Sequence, residues 1–158
     1  MISPPDTLQN HALPSQGGQE LSMLNNCTIL IVDENVSSYV LIARMLAPMG
    51  VYCEWKTSGY ELVEFANSLP HLDLILMSTL LPYEDGFQAL RNIRTSALLR
   101  GIPIIATALD ATMELLDNAR VSGFDGFLGK PFNPDNFPEK ICNILSGESV
   151  WDLNKAHK

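Results

Sequence analysis

The 158 residues provide one ordinary domain with short terminal segments, and 46% of them are hydrophobic, which is enough for a real core. The formal net charge is −8 and no Lys or Arg precedes Arg44, so nucleic acid and anionic membrane surfaces, which need a basic face, are not expected partners. No apolar run approaches the roughly 20 residues that span a bilayer and no secretory signal precedes the chain's apolar runs, so we expect a cytoplasmic protein.

The N-terminal half opens with a polar segment and then becomes regular. Residues 1–26 are rich in Pro, Ser, Gln, Asn and Gly and lack periodicity, which predicts a flexible tail. The apolar run 28–32 is continuous and β-branched, typical of a strand covered on both faces. A helix with Asn35 as its N-cap should follow, and Pro48 and Gly50 should end it.

The same alternation of apolar runs and helix-period segments continues to Leu145. It predicts an α/β fold with a doubly wound, five-stranded parallel sheet in the flavodoxin-like order 2-1-3-4-5, and five helices. The domain should occupy 27–146, and 147–158 should be a C-terminal tail whose apolar Val150 and Trp151 either pack back on the domain or serve a partner. The remaining strands are predicted over 51–55, 72–77, 102–107 and 126–128. The remaining helices are predicted over 57–70, 85–95 and 111–122, and a last helix should start near Asn133 or at Pro138 and end at 145.

Three cysteines, Cys27, Cys53 and Cys142, lie within or beside apolar runs and have no metal-ligand spacing. Free thiols in a reducing compartment are therefore expected. A redox pair of Cys27 and Cys53 stays open if their strands are neighbours.

Polar side chains follow the predicted strands at their carboxyl ends. Asp33 and Glu34 follow the first strand, Ser78 the third, Thr107 ends the fourth, and Lys130 follows the fifth. These ends share one edge of a parallel sheet, where ligands bind in such folds. Two adjacent carboxylates are costly to desolvate together unless a hard cation or an ammonium group shares their position, and Lys130 could reach them.

Five motifs in register resemble the receiver domain of two-component response regulators, over essentially the whole chain between the tails. The motifs are Ile-Leu-Ile-Val-Asp-Glu-Asn (29–35), Asp-Leu-Ile-Leu-Met-Ser (73–78), Leu-Pro-Tyr-Glu-Asp-Gly (81–86), Ile-Ile-Ala-Thr-Ala (104–108) and Phe-Leu-Gly-Lys-Pro-Phe (127–132).

The resemblance implies a role for each matching residue. Asp33 and Glu34 would be the acidic pair that holds Mg²⁺, and Leu80 would offer its backbone carbonyl to the same metal. Thr107 would contact a phosphoryl group, and Phe127 would stand at the position of the aromatic switch residue. The remaining switch residue would be Lys130, with a cis bond to Pro131.

The sequence departs from the family pattern at Ser78, where the resemblance implies an aspartate that accepts phosphate. A serine hydroxyl is a poor nucleophile at neutral pH without an adjacent base, and it brings no charge to a cation site. Two carboxylates against one ammonium group leave a weak cation site, so Mg²⁺ should bind weakly or not at all. The chain is therefore expected to be no enzyme, and its site to be locked in one state by the internal pair of Lys130 with the acids.

The leading hypothesis is a stand-alone atypical receiver, or pseudo-receiver, that binds a sensor histidine kinase or a downstream signalling protein. Its docking surface would be the face formed by the fourth helix, fifth strand and fifth helix, and a homodimer is left open. An alternative is an ordinary phosphorelay response regulator in which engineering replaced the acceptor aspartate by Ser78. A flavodoxin-like carrier of a phosphate-bearing cofactor is disfavoured, because Asp33 and Glu34 would repel the phosphate.

Overall fold

A computed structural model describes residues 21–154. They form a parallel sheet in the order β2-β1-β3-β4-β5-β6, flanked by helices on both faces. The strands are β1 (Thr28–Val32), β2 (Tyr52–Lys56), β3 (Leu74–Ser78), β4 (Ile104–Ala108), β5 (Gly126–Gly129) and β6 (Trp151–Asp152). The helices are α1 (Val36–Leu46), α2 (Leu62–Ser68), α3 (Gly86–Arg94), α4 (Met113–Ser122) and α5 (Phe137–Leu145), and single 3₁₀ turns occupy Ala47–Met49 and Ala97–Leu99.

Two apolar cores lie on the two faces of the sheet. Every residue of β1, β3 and β4 is buried, which explains why these strands are continuous apolar runs without alternation. Helices α2, α3 and α4 pack on one face, while α1 and α5 pack on the other. The predicted α/β class and parallel winding are confirmed. Because the strands are parallel, β1, β3, β4 and β5 all end at the same edge of the sheet.

The predicted N-cap of α1 is confirmed, but the start of α2 was predicted wrongly. Asn35 caps α1 by accepting a hydrogen bond from the Ser37 amide at 2.8 Å. The Ser58 hydroxyl does not cap α2; it accepts from the Tyr60 amide at 3.2 Å and forms a turn. Helix α2 therefore begins only at Leu62.

The sheet has six strands, so the prediction of five is wrong in number. The additional strand, β6, lies within the segment 147–158 that the sequence assigned to the C-terminal tail, and it pairs with Phe127 and Leu128 of β5. A two-residue strand carries no periodic pattern from which it could be recognised. The expectation that Val150 and Trp151 pack back on the domain is confirmed, because each packs against one of the two cores.

Of the predicted tail 1–26, residues 1–20 lie outside the described residues, and Leu24 in the described part is fully buried in the core under α1 and α5. Cys27, Cys53 and Cys142 form no disulfide with one another, and burial together with the nearby Glu54 carboxylate raises the pKa of Cys53 to about 11. Between residues 21 and 154, no helix is long and apolar enough to cross a bilayer.

Candidate functional site

The carboxyl ends of four neighbouring strands bring the predicted site residues to one edge of the sheet. Asp33 directly follows β1, and Ser78 is the last residue of β3. Thr107 lies directly opposite Ser78 in the pairing of β3 with β4. Lys130 directly follows β5, and its amide donates to the Ala108 carbonyl at 2.8 Å. The side chains are close because parallel strands point their carboxyl ends in the same direction.

Asp33 and Lys130 form a buried ion pair across this edge. The Lys130 Nζ donates to Asp33 Oδ2 at 2.5 Å, and only 12% and 5% of the two side chains are exposed. The second carboxylate oxygen, Oδ1, accepts from the Asn35 amide at 2.9 Å. The expected pairing of Lys130 with the acids is thus confirmed for Asp33. A buried carboxylate is stable only when its charge and its lone pairs are both matched, and here both oxygens have a donor.

Glu34 is not a member of this ion pair. It is exposed, and no ion pair within residues 21–154 includes it. The side chain therefore faces solvent beside the site, and only one of the two predicted metal-binding carboxylates is held in the interior of the edge.

The Ser78 hydroxyl forms hydrogen bonds with the backbone of Leu80, two residues later in the chain. Its Oγ donates to the Leu80 carbonyl at 3.0 Å and accepts from the Leu80 amide at 3.2 Å. Ser78 is 7% exposed, so this hydroxyl is largely shielded from water. The Leu80 carbonyl is the group that the resemblance assigns to Mg²⁺, and in this chain it already accepts a hydrogen bond. Thr107, which pairs with Ser78 from the neighbouring strand β4, is 3% exposed.

These residues, as arranged, do not fit a resident divalent cation. Mg²⁺ prefers several oxygen ligands in octahedral geometry and usually takes one or two carboxylates. Asp33 Oδ2 is paired with an ammonium group, and the Leu80 carbonyl with a hydroxyl. Within the described part of the chain, no group of three or more His, Cys, Asp or Glu residues is arranged to hold a metal. A cation at Asp33 would share this carboxylate with the Lys130 ammonium, whose positive charge repels it.

Phe127 is completely buried within β5. Its ring belongs to the core under α2, α3 and α4, and its amide donates to the Val150 carbonyl at 2.9 Å. The Lys130–Pro131 bond is cis, as the resemblance implied.

Two supports of the site were missed by the sequence reasoning. The Trp55 indole donates to the Asp33 backbone carbonyl at 2.8 Å and stacks on Tyr39, with ring centroids 5.1 Å apart. Asn154 donates from its side-chain amide to the carbonyls of Gly129 and Pro131, which flank Lys130. Trp55 was predicted only as a strand residue, and Asn154 lies in no motif, so neither carried a signal that pointed to the site.

Similarity to known proteins identifies the family to which this arrangement corresponds. The family model described as the response regulator receiver domain matches residues 29–142. The chain is 29% identical over 142 residues to the signal transduction histidine-protein kinase BarA of Shigella flexneri, which covers 90% of this chain. It spans only 15% of that kinase's length.

Two solved structures share the fold. A putative response regulator from Chloroflexus aurantiacus is 26% identical with a TM-score of 0.69, covering 77% of this chain and 99% of the other. The receiver domain of the sensor histidine kinase PA1611 from Pseudomonas aeruginosa is 30% identical with a TM-score of 0.67, covering 78% and 99%. The PA1611 domain was solved with a magnesium ion coordinated in its active site cleft.

Proposed function

This chain belongs to the response regulator receiver domain family, and from that premise we propose that it is an atypical receiver of two-component signalling that acts by binding a protein, without aspartyl phosphorylation. The observation that carries the proposal is the state of the acceptor position. Ser78 stands at the end of β3, its hydroxyl bonded to Leu80, while the lysine of the site is paired with Asp33.

The surroundings of Ser78 give its hydroxyl no means of activation. A serine becomes a nucleophile when an adjacent base takes its proton. The proton of Ser78 points instead to the Leu80 carbonyl, which is not a base, and both oxygens of Asp33 are engaged by other donors. Phosphoryl transfer to this residue therefore lacks both a carboxylate acceptor and a base, and we infer that the protein is not an enzyme.

We further propose that Mg²⁺ binds weakly or not at all. In the magnesium-bound PA1611 domain the cleft holds the ion, whereas here the internal contacts of Asp33 and Leu80 compete with it. A divalent cation would meet the positive charge of Lys130 and would share the Leu80 carbonyl with the Ser78 hydroxyl, which lowers its apparent affinity.

The proposed partner is a sensor histidine kinase or a downstream signalling protein in the cytoplasm. Both BarA and the PA1611 protein, to which this chain is similar, are histidine kinases. The surface proposed for docking is formed by α4, β5 and α5, next to the buried Phe127. A second copy of the chain is kept as a further candidate partner.

Intact-mass spectrometry after incubation with acetyl phosphate and Mg²⁺ tests the proposal. The unaltered chain should gain no phosphoryl group, and Ser78→Asp should gain one, because Lys130, Thr107 and Asp33 are still in place. Ser37→Asp, which adds the same charge at an exposed position of the same edge, is the matched control and should stay unlabelled. A phosphoryl group mapped to Ser78 in the unaltered chain, or sub-millimolar Mg²⁺ binding by calorimetry, would contradict the proposal.

A further inference from the structure

The C-terminal residues 150–154, which we call the edge segment, cover the outer edge of β5 between α4 and α5. The segment contains β6 and runs parallel to β5, with Trp151 opposite Phe127 and Asp152 opposite Leu128. The Phe127 amide, which would otherwise be an unpaired donor on an edge strand, donates to the Val150 carbonyl at 2.9 Å.

Side chains from both flanking helices hold the edge segment. The Arg120 guanidinium of α4 lies over the Trp151 ring, 4.3 Å from its centroid, within the range of a cation–π contact. The Lys140 ammonium of α5 forms an ion pair and hydrogen bond with Asp152. Burial raises the pKa of Asp152, but hydrogen bonds from the Lys140 side chain and the Asn154 backbone amide, together with the charge of Lys140, outweigh it and hold that pKa below its usual range.

The backbone of β5 is shaped to receive this segment. A side-chain Cβ on Gly129 would lie 2.0 Å from the Leu153 carbonyl oxygen, and one on Gly126 would lie 2.7 Å from the Val150 oxygen. Both glycines permit an approach that no other residue allows. Asn154, in the left-handed region with φ 54°, closes the segment by donating to the carbonyls of Gly129 and Pro131.

We infer that the edge segment is an intramolecular ligand of the surface formed by α4, β5 and α5, and that a protein docking on that surface must first displace it. Arg120, Lys140 and the two glycines form a binding site for an extended segment with an aromatic residue followed by an acidic one. The chain fills this site itself, so partner binding is set by competition with its own edge segment.

The inference rests on the proposed partner surface but not on the state of Ser78. Labelling of Ser78 would overturn the proposed function and leave the edge segment where it is. Conversely, a freely exchanging edge segment would overturn this inference and leave the chemistry of Ser78 unaffected. The two can therefore fail separately.

Amide hydrogen exchange by NMR on the full chain tests whether the segment is docked. The Phe127 amide is the reporter, and the Ile75 amide, bonded to the Pro103 carbonyl at 3.0 Å in the centre of the sheet, is the internal reference. Trp151→Ala removes the cation–π contact and should speed exchange at Phe127 by about tenfold or more while Ile75 is unchanged. Tyr83→Ala, at a fully exposed aromatic, should change neither.

Two results would overturn docking. One is a Phe127 amide that is as poorly protected in the unaltered chain as in Trp151→Ala. The other is an unchanged Phe127 amide in both Trp151→Ala and Lys140→Met. If Trp151→Ala also speeds exchange at the Ile75 amide, the milder variant Lys140→Met decides the question. It removes only one partner of a partly exposed ion pair.

Binding of the segment in trans tests competition. A fluorescent peptide of residues 147–154 should bind the chain carrying Trp151→Ala and Asp152→Ala at least about tenfold more tightly than it binds the unaltered chain, because the site is then vacated but intact. Adding Arg120→Ala to that double variant should weaken the binding again, whereas Arg91→Ala, at an exposed arginine of α3 that bonds Gln88, should not. Equal affinity for the double variant and the unaltered chain, or no binding to either, would contradict the inference.

Discussion

Two lysine–aspartate ion pairs lie in two regions of the molecule, and they differ in how deeply they are buried. Lys130 and Asp33 meet at the strand ends, where only 12% and 5% of their side chains are exposed. Lys140 and Asp152 meet at the edge of the sheet, where 18% and 34% are exposed. The depth of burial sets what happens when one partner is lost, because a buried charge left alone is far more costly than a solvated one.

The neighbours of each pair strengthen this difference. Asp33 is held a second time by the Asn35 amide, and its backbone carbonyl accepts the Trp55 indole. Asp152 is also held by a backbone amide, that of Asn154, but this amide belongs to the same short edge segment and leaves with it. The first pair is therefore a fixed part of the site, and the second is a contact that can be released.

The largest effect is expected at the site. Lys130→Met leaves the Asp33 carboxylate buried without its partner and should lower the free energy of unfolding by about 3–5 kcal/mol, measured by urea denaturation. Adding Asp33→Asn removes the stranded charge and should recover much of this loss. A cost below about 1 kcal/mol for Lys130→Met would mean that the pair is solvated, and would remove the contrast between the two regions.

A smaller effect is expected where the edge segment touches β5. Gly129→Ala places a Cβ where the Leu153 carbonyl lies and should cost about 1–3 kcal/mol of unfolding free energy or open the segment. Gly101→Ala is the matched control, since its Cβ meets nothing within 4 Å, and it should be neutral or stabilising by up to about 1 kcal/mol. If both variants behaved alike, the close packing of the segment on β5 would be refuted.

The sequence alone could predict those features that depend on local apolar patterns and on the parallel direction of the strands. The bounds of β1 were predicted without error because Thr28–Val32 is a continuous apolar run ended by acids. The meeting of Asp33 with Lys130 was predictable because the carboxyl ends of parallel strands share an edge.

Other features depend on tertiary contacts that leave no periodic signal. The edge segment pairs over only two residues, and its pairing requires two glycines distant from it in sequence. The partner of the Ser78 hydroxyl depends on the turn that follows β3, because a serine side chain reaches only its nearest backbone groups. Glu34 was expected in the site from its position after β1 and from the family resemblance, and its exposure depends on the turn that follows the strand.

A still smaller effect is expected for the outer ion pair. Lys140→Met should cost at most about 1 kcal/mol of unfolding free energy, because Asp152 keeps access to water when its partner is removed. The cost should shrink further in 1 M salt, which screens partly exposed charges more than buried ones. A loss as large as that of Lys130→Met would show that burial does not separate the two pairs.

The last and smallest effect is a dependence of the edge segment on pH. The folded pKa of Asp152 is lowered, so the contribution of its pair with Lys140 is complete above the usual aspartate pKa of roughly 3.9 and is lost as the pH falls through the folded value. The protection factor of the Phe127 amide, which divides out the intrinsic rate, should therefore stay constant from about pH 8 to 5 and fall below about pH 4. Asp152→Asn should remove this dependence while the Ile75 amide remains protected. A Phe127 protection factor that falls equally with pH in Asp152→Asn would assign the loosening to other groups and leave the edge segment without its own pH response.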